Sequence, residues 1–84
     1  MDETKVYNYD EFEEALVEQT LKEVVSILEE RGYNPINQIV GYLISGDPGY
    51  ISSYKDARKK IQAIDRTKIV EVLLENFCDN KWNI

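Results

Sequence analysis

The sequence predicts an all-α fold: a compact bundle of about four helices of unequal length, preceded by a flexible N-terminal arm. Three observations lead there. Apolar residues recur at spacings of three and four over long stretches. No segment alternates with period two for long enough to promise a strand. The two prolines, Pro35 and Pro48, stand where a helix begins and where a turn falls, so neither interrupts a periodic run. The expected organisation is an arm over residues 1–9, a helical domain over 10–79 and a tail over 80–84.

From Met1 to Tyr9 polarity is mixed and no helical period shows, which is the ground for the arm. Helix one is expected from about Glu11 to Arg31. Asp10 with Glu13 matches a capping box, and Phe12, Leu16, Leu21, Val24, Val25 and Leu28 form its apolar stripe. Gly32 suits the left-handed exit, Asn34 the next N-cap and Pro35 the first helical position. Helix two then runs from Pro35 to about Ser45 with Ile36, Ile39, Val40 and Leu43 on one face. Gly41 lies mid-helix, reflecting either a close approach by another helix or a tolerated weakness. Gly46-Asp47-Pro48-Gly49 is a turn, anchored by Tyr50 and Ile51. Helix three starts after Ser53, with Asp56 as capping partner and Ala57, Ile61 and Ile64 at helical spacing. Asp65 caps helix four, Arg66 to about Asp79, whose stripe is Ile69, Val70, Leu73, Leu74 and Phe77. Trp82, in the tail, reads as a packing anchor.

Composition narrows the function. There is no histidine, so the commonest general base and metal ligand is missing. A single cysteine, Cys78, offers no zinc cluster and reads as a small buried hydrophobe suited to a reducing cytoplasm. No Gly-rich loop precedes a lysine. Glu14 and Glu18 are four apart, but a solvated acidic face explains them better than a metal. The expectation is therefore no catalytic residue, no metal and no cofactor. No secretory leader or membrane-length apolar run is seen. The net charge of −6 is uneven: residues 1–33 hold ten acids and three bases. That acidity argues against nucleic acid as main partner. The basic stretch of helix three reads as a solvated face paired with the acids of helix one, or as an anion site built on Arg58 with Lys55 or Gln62. Tyr33, Tyr42, Tyr50 and Tyr54 bracket helix two, as core anchors or as an interface. Thr4 stands in the accessible arm.

The run Gly32-Tyr33-Asn34-Pro35-Ile36-Asn37-Gln38-Ile39-Val40-Gly41-Tyr42-Leu43, continued by Ser45-Gly46-Asp47-Pro48, Tyr50-Ile51 and Ala57-Arg58, resembles the IreB family of bacterial regulatory phosphoproteins. With weaker support from helices one and four, the likeness covers most of the chain. It departs at Gly49, where the family has alanine, and at Asp65-Arg66-Thr67-Lys68, where the family is acidic. The second departure reverses the local charge, and Thr67 within it is an alternative phosphosite that its place in a helix disfavours. The resemblance implies a helical homodimer in the cytoplasm, whose core and partner surface come from that run. It also implies phosphorylation by a PASTA-type Ser/Thr kinase, reversal by the partner phosphatase, and a role in cell-wall stress and antibiotic tolerance. The phosphorylated threonines of the family lie in the arm, where Asp2-Glu3-Thr4 and Tyr7 match.

The expected function is thus a non-enzymatic regulator set by Thr4 phosphorylation and acting on an unidentified downstream protein. Two mechanisms are open. Phosphate binds the Arg58 and Lys55 region and pins the arm, or it repels acidic helix one and releases the arm. The alternative is a small helical nucleic-acid-binding protein, with helices two and three imitating a helix-turn-helix.

Overall fold

The computed structural model describes residues 3–80, with side chains described over 11–79. Within them lie four α-helices: α1 (Glu3–Glu30), α2 (Pro35–Ser45), α3 (Ala57–Gln62) and α4 (Arg66–Asn80). Two 3-10 turns, Pro48–Tyr50 and Tyr54–Asp56, link α2 to α3. The all-α expectation is met. Trp82 and the rest of the tail beyond Asn80 lie outside the described residues.

The main difference from the sequence reading is at the start of α1. The helix begins at Glu3 rather than near Glu11, so the backbone assigned to a flexible arm is helical from Glu3 on, and Asp10–Glu13 is no helix start. The physical reason is in the composition. Between Glu3 and Glu30 there is neither glycine nor proline. Once a helix is nucleated, each further residue adds a hydrogen bond at the cost of ordering only itself. Acidic residues at the start also suit the positive end of the helix dipole.

The exits follow the expected chemistry. Gly32 takes φ +85, letting its N–H reach the Glu29 carbonyl at 2.9 Å and the Tyr33 N–H reach that of Leu28 at 2.9 Å. This is a Schellman closure. Asn34 Oδ1 accepts from the Asn37 N–H at 3.1 Å, and Pro35 occupies the first turn. Asp47 is extended, and its Oδ1 accepts from the Gly49 N–H at 2.8 Å. Asp65 Oδ2 accepts from the Lys68 N–H at 3.0 Å at the head of α4. Helix three departs from expectation. Asp56 provides no side-chain cap, and the start is a 3-10 turn in which Lys55 and Asp56 both take positive φ, 47° and 63°.

The core is laid along one face of α1. Val17, Leu21, Val24 and Leu28 meet Ile39 and Tyr42 of α2, Ile51, then Ala57 and Ile61 of α3, Ile64, and Ile69 and Val72 of α4. Several residues expected in the stripes are not there. Phe12 and Leu16 of α1, Ile36 and Val40 of α2, and Val70, Leu73, Leu74 and Phe77 of α4 are exposed. Each of these helices carries a wider apolar arc than a single packed face consumes. Cys78, expected to be buried, is exposed for the same reason: α4 turns its Ile69–Val72 side to the core.

Candidate functional site: an apolar groove

The unconsumed apolar arcs converge. Leu21 and Val25 of α1 form the floor of a groove of about 430 Å³; Ile36, Ile39, Val40 and Leu43 of α2 form one wall, and Leu73 of α4 stands opposite. Glu29, Asn34 and Pro35 complete its lining. The wall residue Ile36 is 71% exposed, and further large apolar side chains of the same two helices are in water: Ile44 is 80% exposed, Phe77 61% and Leu74 58%. A soluble monomer seldom leaves so many large side chains in water on two neighbouring helices, and such surfaces mark docking sites.

The loop after α2 fixes that wall from behind. Gly41 has no Cβ because the Tyr50 ring lies against its backbone, with Cγ 2.9 Å from where a Cβ would stand. The close approach considered for Gly41 is therefore real, but it comes from the following turn and not from another helix. Gln38 Oε1 accepts from the Ser52 N–H at 2.9 Å, tying the same loop to α2. Ser45 Oγ donates to the Gly41 carbonyl at 2.7 Å and accepts from the Asp47 N–H at 2.9 Å. Gly46, at φ +77, sends its N–H to the Tyr42 carbonyl at 2.7 Å. Arg66, from the first turn of α4, donates through Nη1 to the Leu43 carbonyl at 3.1 Å.

The run from Gly32 to Tyr50 thus divides by role. Gly32, Asn34, Pro35, Gly46, Asp47 and Pro48 shape the ends and turns; Gln38, Gly41 and Tyr50 bind the loop to α2; Tyr42 is in the core. Asn37 is exposed and contributes its backbone N–H to the cap. Tyr33 is exposed at the end of α1, where hydrogen bonds with Ser52 and then Arg31 hold its phenol below the ordinary value.

The two cations assigned to an anion site lie at this same corner, and both are engaged within the chain. Lys55 Nζ pairs with Glu30 Oε2 at 2.8 Å, and the Tyr54 hydroxyl donates to that oxygen at 3.2 Å. Arg31 and Lys55 stand 5.2 and 5.6 Å from the Tyr54 ring centroid. Arg58 Nε donates to the Ile51 carbonyl at 2.8 Å, and its backbone N–H to that of Ser52 at 3.1 Å. Lys60 faces Glu23 of α1 at 3.9 Å, so bases of the 55–60 stretch do pair with α1 acids. Thr4 lies in the first turn of α1, and its side chain is outside those described.

Sequence reasoning missed the groove and the Arg66 contact. A signal for the groove was present: six apolar residues between Ile69 and Phe77 exceed what one helical face can bury. Nothing local signals a contact between Arg66 and Leu43, which are 23 positions apart.

Fold and site together define a small all-helical protein with an apolar groove left open on its surface. The family model described as IreB regulatory phosphoprotein matches residues 2–79. The chain belongs to the IreB family, whose description makes it a regulatory phosphoprotein. Among the described residues, no helix is long and apolar enough to cross a membrane.

Proposed function

We propose that this protein is a non-enzymatic cytoplasmic regulator, switched by phosphorylation of Thr4 by a PASTA-type Ser/Thr kinase and reset by the partner phosphatase. It acts in cell-wall stress and antibiotic-tolerance signalling. It works as a homodimer joined through the groove between α2 and α4. The observation that carries the reading is the family match over residues 2–79, which supplies the phosphoprotein class. The exposed apolar groove supports the dimer, because a core of this size leaves a second copy much to bury.

The position of Thr4 favours a mechanism other than pinning. A 28-residue helix is about 42 Å long, and Thr4 stands at one end while the Glu30–Lys55 pair stands at the other. With α1 intact, a phosphate on Thr4 does not reach Lys55 or Arg58 of the same copy. It instead places about two negative charges in the first turn of α1, where the helix dipole is positive and backbone N–H groups have no intrahelical acceptor. Phosphorylation then firms the leading turns of α1 and changes what that end presents to a partner.

The test is incubation with a PASTA-type kinase domain and Mg-ATP, with phosphate mapped by mass spectrometry and Thr4→Ala in parallel. One phosphate, lost in the variant, and a deeper helical circular-dichroism signal after modification are expected. Phosphate elsewhere, at Thr67 for instance, overturns the switch assignment. Helicity that falls on modification supports repulsion by acidic α1 instead.

A further inference from the structure

The segment Ser53-Tyr54-Lys55-Asp56 carries a serine with an acid three positions on, a capping box for a helix starting at Tyr54. The fold leaves that box unmade. Ser53 sits at φ −84, ψ 0, outside the extended region that an N-cap takes, and its side chain makes no cap bond. Asp56 gives no side-chain cap either. Lys55 (φ 47, ψ 37) and Asp56 (φ 63, ψ 22) are left-handed, and α3 starts only at Ala57, with six residues. An aspartate accepts such backbone readily, whereas a lysine is held there against its steric preference. A local rule broken in this way calls for a contact that holds the other form.

Three backbone bonds of the turn have an equivalent in the helix start. The Ala57 N–H, now on the Tyr54 carbonyl, would pass to that of Ser53. The Arg58 N–H, now on the Ser52 carbonyl at 3.1 Å, would pass to that of Tyr54. The Asp56 N–H, now on the Ser53 carbonyl at 3.0 Å, would pass to the Ser53 hydroxyl. The attachment to α1 has no such equivalent. Glu30 Oε2 accepts from Lys55 Nζ at 2.8 Å and from the Tyr54 hydroxyl at 3.2 Å, and reversing φ at Lys55 redirects its side chain. Ile51 and Ala57 are fully buried on either side, so the choice is confined to 52–56. Lys55 and Glu30 are 56% and 49% exposed in their side chains, so the clamp is weak and open to competition. A weak clamp set against a modest steric preference leaves two forms close in energy.

We propose that residues 53–56 are a two-state element governed by Glu30. With Glu30 on Lys55 and Tyr54, the segment is the left-handed turn and α3 begins at Ala57. With Glu30 released, α3 begins at Tyr54 on the Ser53–Asp56 box and gains three residues. A cation that competes with Lys55 for the exposed Glu30 carboxylate moves the element from the first form to the second. The device links the end of α1 to the start of α3, and it depends neither on Thr4 nor on self-association.

The experiment is NMR on the full chain, comparing wild type, Glu30→Ala, and Glu30→Ala combined with Ser53→Ala. A strong NOE between a residue's own amide and α protons marks positive φ. An NOE from the Tyr54 α proton to the Arg58 amide marks an α-helical turn from Tyr54. Wild type is expected to show the first at Lys55 and Asp56. Glu30→Ala is expected to lose it at both and to gain the Tyr54–Arg58 NOE. Adding Ser53→Ala is expected to remove that gain, because the box is broken. Strong intraresidue NOEs that persist in Glu30→Ala overturn the proposal, as does their loss without the Tyr54–Arg58 NOE. A double variant that extends α3 as fully as Glu30→Ala also overturns it. Should Glu30→Ala fail to fold, Lys55→Met removes the clamp from its other side. The same gain and loss are then expected, and a retained left-handed turn overturns the proposal.

Discussion

At the level of single residues, Gly41 and Tyr50 form a pair whose energetics run against helix propensity. Alanine in place of a mid-helix glycine ordinarily adds about 1 kcal/mol of stability. Here the new Cβ would overlap the Tyr50 ring, whose Cγ is 2.9 Å from its position. Tyr50 is 52% exposed, so the ring can be pushed off α2, but the loop then loses its anchor. Gly41→Ala is expected to destabilise the protein by about 1–2 kcal/mol. The same change in a Tyr50→Ala background, with the ring gone, is expected to stabilise by about 1 kcal/mol. Denaturant unfolding of the four members of this cycle checks the reversal of sign. If Gly41→Ala stabilises both backgrounds, the ring does not need the glycine. Positive φ at Lys55 and Asp56 is a second local feature, at a cost of about 1–2 kcal/mol per residue, that the surroundings must offset.

Part of that offset comes at the level of elements, from the end of α1. Glu30 accepts from Lys55 Nζ and the Tyr54 hydroxyl, and these bonds, the lysine's first, hold its carboxyl below 4.5. A carboxyl lowered on folding adds stability that is fully present above its ordinary value and is lost as pH falls through the folded value. Lys55 is raised above 10.5, chiefly by its hydrogen bond to Glu30, so its contribution is present below 10.5 and is lost as pH rises through the raised value. The clamp therefore holds at neutral pH and releases in acid. The Tyr54 ring resonances are expected to move in one acid step below pH 4.5, and Glu30→Gln is expected to remove that step. A step that survives the substitution assigns it to another carboxyl. Ala57, which follows the turn, and Ile51, which precedes it, are both fully buried.

These elements also show what the sequence could disclose. The bounds of α2 were legible because each end has a dedicated chemistry: Asn34 with Pro35 at the start, Gly46 at the finish. The start of α1 was not, because Asp10 and Glu13 imitate a cap inside a helix with nothing to break it. The turn before α3 was opaque as well. Lys55 is a poor sequence marker for left-handed backbone, and Glu30, which holds its side chain, is 25 positions away. The groove was half legible: its residues were named as stripes, but helical period alone does not say which part of a wide stripe meets the core.

At the scale of the whole molecule, that leftover apolar surface sets the expected behaviour in solution. Among the described residues twelve apolar side chains are buried, while Ile36, Val40, Ile44, Leu73, Leu74 and Phe77 stand in water. If a second copy covers them, folding and association are linked, and the melting temperature rises with protein concentration. Each copy carries −6, so two copies repel over long range while their contact is apolar. Salt screens the repulsion and leaves the hydrophobic term, so association strengthens from low to physiological ionic strength. A surface that drew nucleic acid or a basic partner would show the opposite trend, since its attraction is what salt removes. Leu73→Glu puts a charge into the groove at a position already 45% exposed, where the monomer can bear it. Sedimentation at several concentrations and two salt levels is expected to show a wild-type dimer favoured by salt and a folded Leu73→Glu monomer. A wild-type melting temperature independent of concentration, or a Leu73→Glu chain that still dimerises, removes the groove from the interface and assigns its apolar wall to another protein.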